Sequence, residues 1–334
     1  MKFYNPLKHL IKVLTLLLLT VSATQTYAQF STIDRIVTFG ASLSDTGNSF
    51  VWLSRPENQG CGVAQNVPPY DKLDDLLIPE GPYALGGHHY TNGATWIEGL
   101  ARYFGQAGNA RPAFRNIGGK ANNYAVGGAR AIANFPCRFN LPEQVNTYLT
   151  DLNDSSISQD TLIAIEIGGN DIRDALEAAS TGGIPAAFAR LQSAIESTVG
   201  NLFVLHSKGA RKFLVMTVPD IGKIPAVRAI PGASAPATTF TQLFNSGLTA
   251  ALGDFKSLTG SDVRVLDAYS KFNEVINNAS AFGFVNTENA CITPNKPPFK
   301  CKKPDTYVFW DGIHPTKAIH DIVAQQAIGV VSAP

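Results

Sequence analysis

The sequence predicts an α/β protein, a three-layer αβα sandwich around a mainly parallel, five-stranded sheet. Three observations carry that expectation. Short apolar runs recur without polar alternation, the pattern of strands covered on both faces. Segments with apolar residues three or four apart lie between them, the spacing of helices with one buried face. The order strand then helix repeats, which favours parallel pairing through crossovers.

The strands are expected at 36–39, 124–126, 162–167, 213–218 and 263–266. Helices are expected at 96–104, where Trp96, Leu100 and Tyr103 share a face, and at 186–207, with Phe188, Leu191, Ile195, Val199, Leu202 and Leu205 in register. Two more follow, at 241–258, carrying Leu243, Phe244, Leu248 and Leu252, and at 317–331, with Pro315 opening the last. The stretch 51–89 is rich in Gly, Pro, Asn and Asp. It reads as an irregular insertion packed beside the site and tied down by Cys61.

Residues 1–28 have the layout of a secretory signal peptide. Lys2, Lys8 and Lys12 precede an apolar run at 13–23, and small residues follow up to Ala28. Cleavage after Ala23 and retention as a membrane anchor are the alternatives, although the run is shorter than the roughly 20 residues that span a bilayer. Residues 29–334 are expected to form a single domain. Removing three lysines and no acids takes the net charge from +1 to −2. With no basic block, nucleic acid is not an expected partner.

Four cysteines, an even number in an exported chain, suggest two disulfides. Cys291 and Cys301 flank a Pro- and Lys-rich loop and are expected to pair, leaving Cys61 for Cys137; free buried thiols are the alternative. The spacing suits no zinc site.

Four segments carry candidate chemistry. Gly40-Ala41-Ser42-Leu43 ends the first strand, which puts Ser42 at the edge where open parallel sheets bind ligands. A serine at a helix start has backbone N–H groups nearby, suited to an oxyanion or merely to capping. Asn122 to Ala129 is a second strand followed by glycines, and Gly lets backbone approach a ligand closely. Glu166-Ile-Gly-Gly-Asn-Asp171 follows the third strand and offers the Asn170 amide as a donor, or as a turn cap. Near the end, Asp311 and His314 stand three apart, a spacing that lets the carboxylate orient the imidazole. His88 and His89 suit an exposed or substrate-rim position, whereas His206 and His320 fall on helices.

Taken in order, these segments resemble the GDSL, or SGNH, hydrolase family, and within it the bacterial lecithinase, hemolysin and phospholipase-like branch. Thr91 to Glu98, Val218 to Pro225 and Leu266 to Tyr269 are similar to family segments as well. The resemblance implies a flavodoxin-like fold and a serine ester hydrolase. Ser42 would be nucleophile, His314 general base and Asp311 its orienting acid. The N–H groups of Ser42 and Gly128 and the Asn170 amide would form the oxyanion hole. It implies no metal or organic cofactor, lipase- or phospholipase-type acyl esters as substrates, and transient contact with a lipid surface. The chain departs from the usual Gly-Asp-Ser-Leu in having Ala41 before the serine.

Other readings use the same residues. Acyl transfer shares the triad. A carbohydrate O-acyl esterase would use Trp52, Tyr70, Tyr83 and Tyr90 for stacking, if those aromatics do not simply pack. A catalytically silent lipid- or glycan-binding relative is suggested by Ala41.

Overall fold

The computed structural model describes residues 32–53, 55, 83–84, 87–115, 120–133, 139–294 and 297–333. The leader expected at 1–28, Tyr70, Cys61 and Cys137 lie outside the described residues. Ile33–Ala333 is one compact unit.

Four strands, β1 (Arg35–Gly40), β2 (Thr161–Glu166), β3 (Lys212–Met216) and β4 (Asp262–Leu266), pair in that order, all parallel. Their unbroken apolar sequences follow from burial on both sides. Val37, Phe39, Ile163, Ile165, Phe213 and Val215 enter one core, and Ile36, Leu162, Ala164, Leu214 and Met216 enter the other. Successive side chains alternate between faces, so a strand between two helical layers has no polar side to show.

Of the five expected strands, the one at 124–126 is reduced. The chain at 122–126 runs beside β1, giving N–H···O bonds from Tyr124 to Thr38 at 2.8 Å and from Val126 to Gly40 at 3.0 Å. Only the Thr38–Asn123 bridge forms there. The reason is local. Asn123 spends its amide on the carbonyl of Ser44 and its Oδ1 on the N–H of Ala125, so the segment bends into its glycine turn instead of extending a ladder.

The first core is closed by α3 (Leu141–Asp151), α4 (Gly169–Ser207) and α6 (Ser234–Thr259), the second by α2 (Trp96–Tyr103) and α8 (Lys317–Ser332). Two short helices, α1 (Asn48–Leu53) and α5 (Pro225–Arg228), and α7 (Ala268–Asn277) complete the α-helices among the described residues. A second, two-stranded parallel sheet joins β5 (Asn286–Ala290) to β6 (Tyr307–Phe309).

Several details differ from expectation. Helix α4 begins seventeen residues before Ala186 and is interrupted at Gly183, φ +75°, two residues before Pro185. Tyr103, Phe188 and Leu243, expected on buried faces, are 59%, 48% and 44% exposed, because Ile97, Ala101, Leu191 and Phe244 hold the faces turned inward. Pro315 lies outside α8; it bridges Phe309, and Thr316 precedes the helix. Residues 51–53, assigned to the irregular insertion, are the last turn of α1.

Candidate functional site

The site stands at the carboxyl ends of β1 and β2. Gly40 closes β1, and a Cβ on it would sit 2.2 Å from the Glu166 carbonyl oxygen, so only glycine allows the two strand ends to approach. Gln144 of α3 clamps the same residue from both sides, accepting from its N–H at 2.8 Å and donating to its carbonyl at 2.9 Å. The chain then turns at Ala41–Ser44 and becomes helical only at Asn48. Ser42 therefore sits in a turn and not at the helix start suggested by its sequence.

Below this turn, the buried Asp45 carboxylate gathers the N–H groups of Gly47, Asn48, Ser49 and Gly127 and the Ser49 hydroxyl. One side chain thus joins the serine turn to the Gly127–Ala129 turn. Burial raises its pKa, against the pull of those hydrogen bonds.

Gly128 takes φ +77°, and the pairing of Tyr124 and Val126 with β1 carries it alongside the serine turn. Its carbonyl accepts from Arg130 at 2.7 Å. Arg130 meets Asp174 of α4 through Nε at 3.0 Å and Nη2 at 2.8 Å, a two-pronged pair that fixes orientation as well as charge. Asp171 accepts from the Ala131 N–H, and burial pushes its pKa up to about 6. Asn170 is the second residue of α4, which follows Gly168, whose φ of +113° and contact with Phe244 leave no room for a side chain. The Asn170 amide donates one N–H to the Ala129 carbonyl at 2.9 Å, while its Oδ1 accepts from Arg173 at 3.3 Å.

The last part comes from the loop before α8. Asp311 is fully buried, and its Oδ1 accepts from the N–H groups of Ile313 and His314, at 2.7 and 2.6 Å. Its Oδ2 lies 2.8 Å from His314 Nδ1, and His314 Nε2 lies 2.9 Å from Ser42 Oγ. The loop is anchored on two sides. Thr91 donates to the Pro315 carbonyl, and Asn92 accepts from the Lys317 N–H. The Cys291–Cys301 disulfide forms as expected, with Cα atoms 5.4 Å apart, and Cys291 and Ile292 donate backbone hydrogen bonds to Phe309 and Trp310.

The structure thus brings Ser42, His314 and Asp311 into one hydrogen-bonded line. Asn170 shares a cavity with Ser42 and His314, and Gly128 occupies the adjoining turn. Beyond Ser42 that cavity is mostly apolar, lined by Leu43, Val218, Ile221, Ile224, Phe272 and Val275 among others, with Arg173 and Lys271 also on its wall.

The aromatics of the insertion divide. Tyr83 is 1% exposed and donates to Asp311 Oδ2 at 2.8 Å; Tyr90 packs its ring 5.0 Å from that of His314. Both are inner parts of the site, and Trp52 tilts against Phe139. His89, expected exposed or at a substrate rim, is buried with Nε2 3.2 Å from Glu98 Oε2. His88 stacks on Phe50. His320 accepts from the Trp96 N–H, and burial pushes its pKa down to about 3. Tyr83, expected as a stacking aromatic, is instead a donor to Asp311, and the sequence did not mark Gln144 or Glu166 as parts of the site. Only Glu166 had a nearby signal, as a lone acid closing an apolar strand.

Fold and site define an α/β protein with a serine–histidine–aspartate line at the carboxyl edge of a parallel sheet. The family model for GDSL-like lipases and acylhydrolases matches residues 36–327, and the chain belongs to that family. A GDSL esterase/lipase of Arabidopsis thaliana is 31% identical over 140 residues, 39% of each chain. A thermolabile hemolysin of Vibrio parahaemolyticus is 26% identical over 312 residues, 89% of this chain and 63% of the relative. These matches therefore span less than two thirds of either relative's length. Among solved structures, a phospholipase A1 of Streptomyces albidoflavus is similar at 16% identity and a TM-score of 0.41, covering 89% of this chain and 98% of its own.

Proposed function

We propose that the protein is a secreted serine ester hydrolase that cleaves carboxylic esters bearing a hydrocarbon acyl chain. The observation that carries this reading is the line Ser42 Oγ, His314 Nε2, His314 Nδ1, Asp311 Oδ2, with steps of 2.9 and 2.8 Å.

The chemistry follows from that line. Ser42 donates its O–H to Nε2, and Nδ1–H donates to Asp311. As Oγ attacks the ester carbonyl, the proton moves to Nε2, and the buried carboxylate stabilises the imidazolium that forms. Carbonyl oxygen gains charge at this step. The N–H groups of Ser42 and Gly128 and the second N–H of the Asn170 amide are the donors suited to meet it. His314 returns the proton to the leaving alkoxide, so the alcohol departs and an acyl-enzyme remains. Water then attacks through the same base and frees the acid. Only neutral imidazole can accept the proton, so activity rises as His314 deprotonates.

The apolar lining supports an acyl group held by hydrocarbon contact. A buried methylene is worth about 0.8 kcal/mol, roughly fourfold in kcat/KM. The Cys291–Cys301 bond supports an oxidising destination.

The test is hydrolysis of p-nitrophenyl acetate, butyrate and palmitate by the wild type and Ser42→Ala. Turnover that depends on Ser42, and prefers butyrate over acetate by about tenfold or more, is expected. A folded wild type with no turnover on any ester overturns the reading.

A further inference from the structure

The serine is preceded by Ala41, whose methyl side chain offers no hydrogen bond to the turn it belongs to. One carboxyl nevertheless reaches that turn. Glu166 ends β2, paired across the ladder with Gly40, and is 7% exposed. Its backbone oxygen accepts from the Ala41 N–H at 3.0 Å, and its Oε2 faces the same N–H at 3.3 Å. The Leu43 and Ser44 N–H groups and the Ser44 hydroxyl lie near enough to this carboxyl to pull its pKa down, and the Ser44 N–H also donates to the Ala41 carbonyl at 3.2 Å. The N–H of Ser42, the one suited to an oxyanion, is not among them. Ser44 is itself held from behind, its Oγ accepting from the Trp96 indole at 3.0 Å.

We propose that Glu166 is the positioning residue of the nucleophile turn, supplying from β2 a carboxyl that residue 41 does not provide. It gathers the N–H groups on either side of Ser42 and so sets the direction of Oγ and of the Ser42 N–H. This rests on the ester hydrolase reading above. It acts through the turn and not on the substrate, because its hydrogen bonds go to backbone and Ser44.

The ionised carboxylate is acceptor only and takes up every one of these donors, whereas the acid must turn one oxygen into a donor. The turn is therefore best ordered when Glu166 is ionised. Burial pushes its pKa up to about 8, against the hydrogen bonds of Ala41 and Ser44. The groups around it are few. The β1 turn presents no titratable side chain and β3 presents Met216. The cavity it shares holds Arg173 from α4, Lys271 from α7, His320 from α8 and His314 from the preceding loop.

The experiment follows ester turnover, and the rate at which a fluorophosphonate labels Ser42, from pH 5 to 10 in the wild type, Ser42→Ala, Glu166→Gln and Ala41→Asp/Glu166→Gln. In the wild type, a second ionisation should add to the histidine limb. Glu166→Gln should lose it and lower kcat roughly tenfold to a hundredfold, with KM changed less than about twofold. Restoring a carboxyl at position 41 should recover much of kcat. A single ionisation in the wild type overturns the proposal whether or not any variant folds. So does a Glu166→Gln enzyme with the wild-type profile and kcat. Turnover independent of Ser42 sinks the ester hydrolase reading itself, a result distinct from either of these.

Discussion

Asp311 shows how much one side chain is asked to do. Its two oxygens accept four hydrogen bonds, two from backbone, one from His314 and one from Tyr83. The backbone pair shapes the loop, and Oδ2 is left to orient the imidazole. Tyr83→Phe keeps the ring and removes one donor to a buried charge, so a loss of about 1.5–3 kcal/mol in urea unfolding is expected. With Oδ2 freer to move, kcat should fall severalfold while KM holds; an unchanged kcat would make Tyr83 purely structural. Asn170→Ala should lower kcat by about 10²–10³ with a smaller change in KM. The reverse split would assign the amide to substrate binding.

Among elements, the glycine turn at 127–129 depends on α4 more than on its own sequence. Arg130 reaches back to the Gly128 carbonyl and forward to Asp174, both partners of the ion pair being nearly buried. A buried pair adds little net stability when intact, but removing one partner strands the other charge. Asp174→Ala is expected to cost about 3–5 kcal/mol in chemical denaturation. Because Gly128 moves with Arg130, kcat should fall as well. A variant as stable as the wild type would show that the pair is dispensable. Helix α4 also explains a miss. Its first half follows Gly168 and carries Asn170, Asp171 and Asp174, which face the turn and not a lipid-like core. An apolar-periodicity search finds only the second half, where Leu191, Ala194, Leu202 and Leu205 point inward.

For the whole molecule, buried titratable groups set how stability varies with pH. Burial raises Glu166 from 4.5 to about 8 and Asp171 from 3.8 to about 6, and lowers His320 from 6.5 to about 3. A carboxyl with a raised folded pKa binds its proton more tightly when folded. Its contribution is greatest below the unfolded pKa and is lost as pH rises through the folded one. The histidine works oppositely, with stability present above 6.5 and lost as pH falls toward 3. Below pH 6.5 the shifts compete; from 6.5 to 8 Glu166 acts without the other two. Thermal melts of the wild type should therefore fall from pH 6.5 to 8, and Glu166→Gln should flatten that slope. Equal slopes in the two proteins would refute the assignment.

The sequence by itself determined the strands of the sheet, the layers around them, the Cys291–Cys301 pair and the order of the segments carrying Ser42, Gly128, Asn170, Asp311 and His314. These are local properties: an unbroken apolar run, a period of 3.6, a glycine after a strand, an acid three residues before a histidine. Tertiary structure alone decided that Tyr83 meets Asp311 across 228 residues, that Glu166 meets Ala41 across 125 and that Gln144 brackets Gly40 across 104. It also reduced the strand expected at 124–126 to a bridged edge and buried His89. A polar side chain carries no periodic mark of its partner. Its role emerges only when the packed sheet and helices bring the donors and acceptor together away from water, where leaving them unpaired would be costly.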